Sequence, residues 1–257
     1  MDELRFRALL LRAPELATAR AFYCGAIGLR DTAADAPIVE AIDTAGARFY
    51  LEQVPPVPGP LPDQARATAS FAVHDMTEAV TRLSLAGATF LQSAPVAAAA
   101  GTQIGFRDPF GNVHALVEPP APARFDEPRV LQAGAKIPIA SVPGAKRLYA
   151  DTLGFVIASE RRYPPLLPFD HPDGSRAFVI EDQEGQEPDL RVRAPLYPRE
   201  TGVIMVLEAK NLEYWHAKLA RRAPNARLFA PSRFAFGRRM AFIDSVGLAV
   251  EIWQSGT

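Results

Sequence analysis

One cysteine, Cys24, stands in 257 residues. A single thiol excludes an internal disulfide framework and a cysteine metal cluster. No basic residue adjoins it to lower its pKa, so it reads as a packed, inert side chain. Long apolar runs are missing too: none approaches the roughly 18 residues of a membrane span. The start, MDELRFRALLL, is acidic where a secretory signal is basic, and no small-residue cleavage site follows. A cytoplasmic protein without a membrane partner is expected. Lysine is scarce, with Lys136, Lys146, Lys210 and Lys218 the only four among 28 basic residues. No basic tract interleaved with aromatics appears and the net charge is −1, so nucleic acid is not an expected partner. The histidines are also few and scattered. His74 falls in a turn, His114 on the helix-facing side of a strand, His171 in a loop and His216 beside an apolar helical stripe.

What is present is the composition of a globular protein, 48% hydrophobic and 22% charged. Arg5 to Leu11 reads as a strand. Pro14-Glu15 opens a helix whose Leu16, Ala19, Tyr23 and Ile27 share one face, with Gly28 as its C-cap. Strands follow at Ile38 to Ile42 and Ala47 to Val54, with a turn at Thr44 to Gly46 between them. The stretch from Pro55 to Pro62 holds five prolines and reads as a connector. The order then restarts. Thr68 to Val73 is a strand, and Asp75 caps a helix with Glu78 completing a capping box. Strands at Ala88 to Leu91 and Gln103 to Phe106 lead to RDPFGNVHALVE, a turn feeding an alternating strand.

Pro119 to Pro128 is a second proline-rich connector, taken as a domain boundary. Beyond it come a strand at Leu131 to Ile139, a helix capped by Ser141 and closed by Gly154, and strands at Phe155 to Ser159 and Ala177 to Glu181. YPPLLPFDHPDG separates these last two as a turn-rich stretch, and a polar stretch runs from Asp182 to Arg191. A strand at Val203 to Leu207, a helix capped by Asn211, and strands at Arg227 to Phe229 and Arg238 to Ile243 lead to IDSVGLAVEIWQ. That closing segment echoes RDPFGNVHALVE, with Asp244 and Gly247 spaced as Asp108 and Gly111 are. Phe22-Tyr23 through Gly28-Leu29 likewise matches Leu148-Tyr149 through Gly154-Phe155, and ARFYLEQ matches RAFVIED. A repeat of this size outranks any single motif.

AFYCGAIGLR with RDPFGNVHALVE, and RLYADTLGFVI with IDSVGLAVEIWQ, resemble the vicinal oxygen chelate superfamily. That group includes glyoxalase I, extradiol dioxygenases, fosfomycin-resistance enzymes and bleomycin-binding proteins. The resemblance implies an α+β fold of four βαβββ units paired into two modules, each a curled mixed sheet forming a cup with helices outside. Chain order suggests 1–118 as the first module, 119–130 as the linker and 131–257 as the second module. Metal-using members place a His or Gln, a Glu, a His and a Glu at four strand positions. Counted from the helix caps, those positions fall on Ala8, Glu52, Thr68 and Ala115, and on Gly134, Glu181, Ile204 and Glu251. No histidine lies in any unit's first strand.

The expected reading is therefore a small-molecule-binding protein, or a metal-independent lyase or isomerase, acting on an aromatic or amphipathic ligand. Glu251 and Glu181 are the candidate catalytic carboxylates, since two acids in one partly apolar cup raise each other's pKa and one can serve as acid or base. Trp253, Lys136, Arg239, Tyr50 and Glu52 are the candidate ligand-binding residues. No cofactor is expected, and the chain would be a monomer or homodimer. The alternative is a metal-dependent dioxygenase or glyoxalase-like lyase with displaced ligands such as Glu181, Glu251 and His171, in which case a divalent metal is the cofactor. A third reading is a scaffold with vestigial cups.

Overall fold

The computed structural model describes residues 3–32, 38–42, 48–55, 67–98, 101–120, 129–139, 142–158, 161–162, 165–182, 202–244 and 248–255. All of the Pro55 to Pro62 connector beyond Pro55, most of the 119–130 linker, and nearly all of the polar stretch from Asp182 lie outside them. So do the Ser141 cap and the turns at Thr44 to Gly46 and around Gly247.

Four units follow one another. The first is β1 (Arg5–Ala13), α1 (Leu16–Arg20), β2 (Arg30–Asp31), β3 (Ile38–Ile42) and β4 (Arg48–Gln53). The second is β5 (Thr68–Ala72), α2 (Met76–Leu85), β6 (Thr89–Phe90), β7 (Val96–Ala98), β8 (Gly101–Arg107) and β9 (Val113–Glu118). The third is β10 (Arg129–Ile139), α3 (Val142–Ala145), β11 (Val156–Ile157), β12 (Arg161–Arg162), β13 (Pro165–Asp170) and β14 (Arg176–Asp182). The fourth is β15 (Gly202–Glu208), α4 (Leu212–Arg222), β16 (Arg227–Phe234), β17 (Gly237–Ile243) and β18 (Ala249–Ser255).

The caps act as the residue types dictate. The Asp75 carboxylate accepts from the Glu78 N–H, and the Asn211 side chain from the Tyr214 N–H, both at 2.9 Å. In the first and third units the helix widens into a π-helical segment, Ala21–Ile27 and Lys146–Thr152, which the sequence pattern does not announce. Phe22, Tyr23, Ala26 and Ile27 are the buried residues of the first of these segments. Gly28 and Gly154 follow with φ of 94° and 92°, a left-handed conformation that glycine adopts without a Cβ penalty. The stretch read as turn-rich before Gly174 contains β13. Its prolines are tolerated because Pro165 is the first residue of the strand and Pro168 falls in the gap between the residues that β12 and β11 pair, 165–166 and 169–170.

The sheets join units differently from chain order. One runs β16-β17-β18-β15-β1-β4-β3-β2, so the first unit pairs with the fourth. The other runs β11-β13-β14-β10-β5-β9-β8-β6, so the second pairs with the third, with β12 and β7 beside β13 and β8. The expectation of consecutive modules, 1–118 and 131–257, is corrected by these seams. Each is an antiparallel pairing of first strands, β1 with β15 and β10 with β5. β1 and β15 are central and buried on both faces over most of their length, which explains their continuous apolar runs.

One face of each sheet joins the helices in a single core that includes Leu9, Leu11, Phe49, Phe71, Phe106, Phe178, Met205 and Ile252. Within it, units adjacent in the chain are tied after all. Tyr23, from the first unit, donates to Asp108 of the second at 2.5 Å. Tyr149, from the third, donates to Asp244 of the fourth at 3.1 Å. His114 Nδ1 accepts from the Ala69 N–H at 3.2 Å, so the ring carries its hydrogen on Nε2, 2.8 Å from the Tyr23 oxygen. Asp108 also accepts from Asn112 Nδ2 and from the Phe110 and Asn112 N–H groups. Burial raises the Asp108 pKa, but His114, Asn112 and Tyr23 outweigh it and hold the carboxyl below its ordinary value of 3.8. Because the folded carboxyl is the more acidic, its contribution is complete above the ordinary value and is lost as pH falls through the folded one. Tyr23→Phe is expected to cost about 1–3 kcal/mol in urea unfolding. Asp108→Asn should flatten the loss of stability below about pH 4.

Candidate functional site

Strand alternation divides the central residues of the eight-stranded sheet between two faces. Leu9, Leu11, Phe49, Leu51, Val203, Met205, Val250 and Ile252 face the core. Ala8, Leu10, Tyr50, Ile204, Val206, Ala241 and Trp253 face the other way and form a second apolar cluster. Among the described residues Arg12, Glu52, Glu251 and Arg239 form one charged group on that second face, and Arg7, Glu40 and Glu208 form another beside Tyr50.

Arg12, on β1, is fully buried. Its Nε donates to Glu52 Oε2 on β4 at 2.7 Å, and a terminal nitrogen donates to Glu251 Oε1 on β18 at 2.5 Å. In a flat sheet β4 and β18, three strand spacings apart, would lie about 14 Å from each other. One guanidinium spans them because the sheet curls. Arg239, on β17, donates to Glu52 Oε1 at 2.8 Å and lies 3.6 Å from Glu251 Oε2. Trp253 Nε1 donates to Glu251 Oε2 at 2.6 Å. All four oxygens of the carboxylate pair therefore have a donor. Glu251 is wholly enclosed, whereas the Glu52 side chain is 11% exposed.

Beside this network stands an aromatic wall. Trp253 lies 4.9 Å from Tyr50, 4.7 Å from Phe234 and 5.9 Å from Phe236, measured between ring centres. Phe234, at the end of β16, and Phe236, in the β16–β17 turn, are partly exposed. Arg7 reaches across the Tyr50 and Trp253 rings and pairs with Glu208 at 2.5 Å, and the Tyr50 hydroxyl donates to Glu40 at 2.9 Å. Burial is the main cause of the raised Tyr50 pKa, against the lowering effect of Arg7.

Of the candidate residues, Tyr50, Glu52, Arg239, Glu251 and Trp253 come together in this one cup. Glu181 and Lys136 do not. They sit on β14 and β10 of the ten-stranded sheet, where the register sets Glu181 beside Pro138 and Lys136 beside Thr68. The pairing of Glu181 with Glu251 across one cup is thus corrected: Glu52 is the partner of Glu251. Arg12 and Arg7 were missed. Arg12 had a signal, a lone charge inside the apolar run Leu9–Ala13 on the face of Ala8, where only a buried counter-charge makes a guanidinium tolerable.

The four positions at which the superfamily places metal ligands regroup in the same way. Ala8, Glu52, Ile204 and Glu251 share the eight-stranded sheet. A divalent ion does not fit here, because the imidazole positions are aliphatic and both carboxylates are already held by guanidinium and indole N–H groups. Among the described residues no group of three His, Cys, Asp or Glu comes together to hold a metal. His171, named as a displaced ligand, follows β13 and packs on Phe155 at 5.6 Å, away from Glu251. Burial lowers its pKa. His114 is buried in the Tyr23 clasp, His74 is exposed and His216 is half-buried. Burial pushes the Cys24 thiol up to about 11, as an inert thiol requires. On the ten-stranded sheet Thr68, Ser70, Gln103, Gly105 and Ala115 are half-exposed, so that cup is more open at its described residues than the first.

Residues 8–117 match the glyoxalase-like domain family. No curated protein matches the sequence. Glyoxalase I from Zea mays is similar in structure with a TM-score of 0.67 and 14% sequence identity, over 98% of this chain and 93% of that one. A candidate dioxygenase from Bacillus subtilis follows at 0.63 and 12%, over 98% and 86%. At such identities the likeness is one of fold. No helix among the described residues is long and apolar enough to cross a membrane.

Glu251→Gln is expected to lower unfolding stability by roughly 3–5 kcal/mol, because it leaves Arg12 short of a buried counter-charge. Glu78→Gln, which breaks an exposed pair with Arg82 on α2, should leave the urea midpoint nearly unchanged.

Proposed function

With a glyoxalase-like domain over residues 8–117 and the glyoxalase I fold over the chain as its premise, we propose that this protein binds a small aromatic or amphipathic molecule. The molecule rests at the mouth of the eight-stranded cup. The observation that carries this reading is the aromatic wall of Tyr50, Trp253, Phe234 and Phe236 set against the partly exposed Glu52 and Arg239. A flat apolar face stacks on the rings, and one polar edge meets the carboxylate and guanidinium. The floor of the cup is filled by Arg12 and Glu251, so the ligand lies across the opening on the partly exposed rings of Phe234 and Phe236, with Trp253 beneath them.

If the bound molecule is turned over, Glu52 is the proton-moving group, once the ligand's polar edge displaces Arg239 from its Oε1. It reaches the opening, while Glu251 is shut in beneath it and fixes the guanidinium. A lyase or isomerase step that shifts one proton needs no more than one such carboxylate. Lys136 and Glu181 lie on strands of the ten-stranded sheet and have no part in this step.

The chain has two tryptophans, so in a Trp215→Phe background the emission reports Trp253 alone. Anilinonaphthalene sulfonate, an amphipathic aromatic probe, should quench that emission saturably. Phe236→Ala should weaken its binding about five- to tenfold, the value of one ring contact. Saturable binding that leaves Trp253 emission untouched would move the site to the ten-stranded cup and sink this assignment.

A further inference from the structure

We propose that Arg12 is the resident cation of the eight-stranded cup, standing between Glu52 and Glu251 where a divalent ion would otherwise bridge them, and that its removal opens a divalent-cation site. This goes beyond ligand binding at the mouth and does not depend on it.

The argument is one of charge and enclosure. Two carboxylates from strands at opposite sides of the curl converge on one buried point. Left alone there, two negative charges repel strongly and lack hydration, so some cation must accompany them. Arg12 supplies it, bonding one oxygen of each carboxylate at 2.7 and 2.5 Å from a position with no solvent exposure. Arg239 and Trp253 take the other two oxygens from the rim and the wall. Two carboxylates and two guanidiniums balance, so a dication could enter only by expelling Arg12 and its charge.

A guanidinium differs from a metal ion in what it permits. It neutralises and orients the carboxylates, but it presents no vacant coordination position to a substrate oxygen. With Arg12 gone, the pair becomes a half-built oxygen-donor site of the kind that suits Mn²⁺, with water free to complete the shell. Arg12 is thus a specificity-determining residue, and the aliphatic side chains of Ala8 and Ile204 on the same face match it. Those strand positions need no donor when the cation is covalently part of the chain.

The test uses the full chain stripped of metal with a chelator, Mn²⁺ as the probe, and both calorimetric binding and thermal midpoint as readouts. The wild type should bind no stoichiometric Mn²⁺ and show no midpoint shift in millimolar Mn²⁺. Arg12→Met, which keeps the stem volume and deletes the charge, should bind one ion per chain at least about tenfold more tightly than the wild type and be stabilised by it. Arg12→Met/Glu251→Gln should lose that gain. A third protein, Arg12→Met/Glu52→Gln/Glu251→Gln, removes all three charges and should fold even if Arg12→Met does not. Three results would each overturn the proposal: a wild type that holds one Mn²⁺ per chain, a folded Arg12→Met with no gain in Mn²⁺ affinity, or a triple variant that fails to fold.

Discussion

The pairing of β1 with β15 is the constraint on which the rest of the molecule depends. Arg5 lies opposite Glu208 and Leu11 opposite Val203, so the two ends of the chain share the centre of one sheet. Everything that could recognise a ligand in that sheet is divided between those ends. Arg12, Tyr50 and Glu52 come from the first unit; Arg239, Glu251 and Trp253 come from the fourth. Arg12 and Glu251 are 239 residues apart in sequence and 2.5 Å apart in space. The site exists only when the ends have met, which places its formation among the non-local contacts whose loop closure is slow and costly.

A second set of ties runs against the first. The sheets join the first unit to the fourth and the second to the third, while the Tyr23–Asp108 and Tyr149–Asp244 bonds join the first to the second and the third to the fourth. Each unit is therefore held by two different neighbours, one through a strand ladder and one through a buried hydrogen bond in the common core. No cut through the chain yields a half with its own complete sheet. The domain family matched over residues 8–117 covers two units that lie in different sheets, so the sequence unit and the structural sheet are not the same thing.

The charged floor of the cup follows from the same geometry. Replacing a buried ionic group by apolar residues of the same volume is often neutral or favourable for stability, so the network is no measure of how stable the fold is. A network that bonds β1 to both β4 and β18 is satisfied in only one alignment of the curled sheet. It also sets what the cup can accept. The wall beside it offers ring faces, the rim offers one carboxylate and one guanidinium, and the floor offers no open coordination position.

Much of the fold was legible in order along the chain. The strand and helix sequence, the Asp75 and Asn211 caps, the Gly28 and Gly154 stops and the fourfold repeat all rest on local chemistry: capping, turn formation and side-chain periodicity. The inward faces of Tyr50, Glu52, Glu251 and Trp253 were legible too, because alternation along a strand fixes which side chains share a side. Which strand lies beside which was not, since alternation is the same whichever neighbour completes the ladder. Only the tertiary structure decided that Glu251 meets Glu52 rather than Glu181. The π-helical turns were hidden because their period is a property of packing. Arg12 stood in plain view as a charge in an apolar run, yet its role is set by two partners, one of them at the far end of the chain. The sequence by itself determined the units and their faces, because those depend on neighbours a few residues away. The tertiary structure alone decided how the units were joined, and so where the charges converged, because that depends on closing a loop of some two hundred residues.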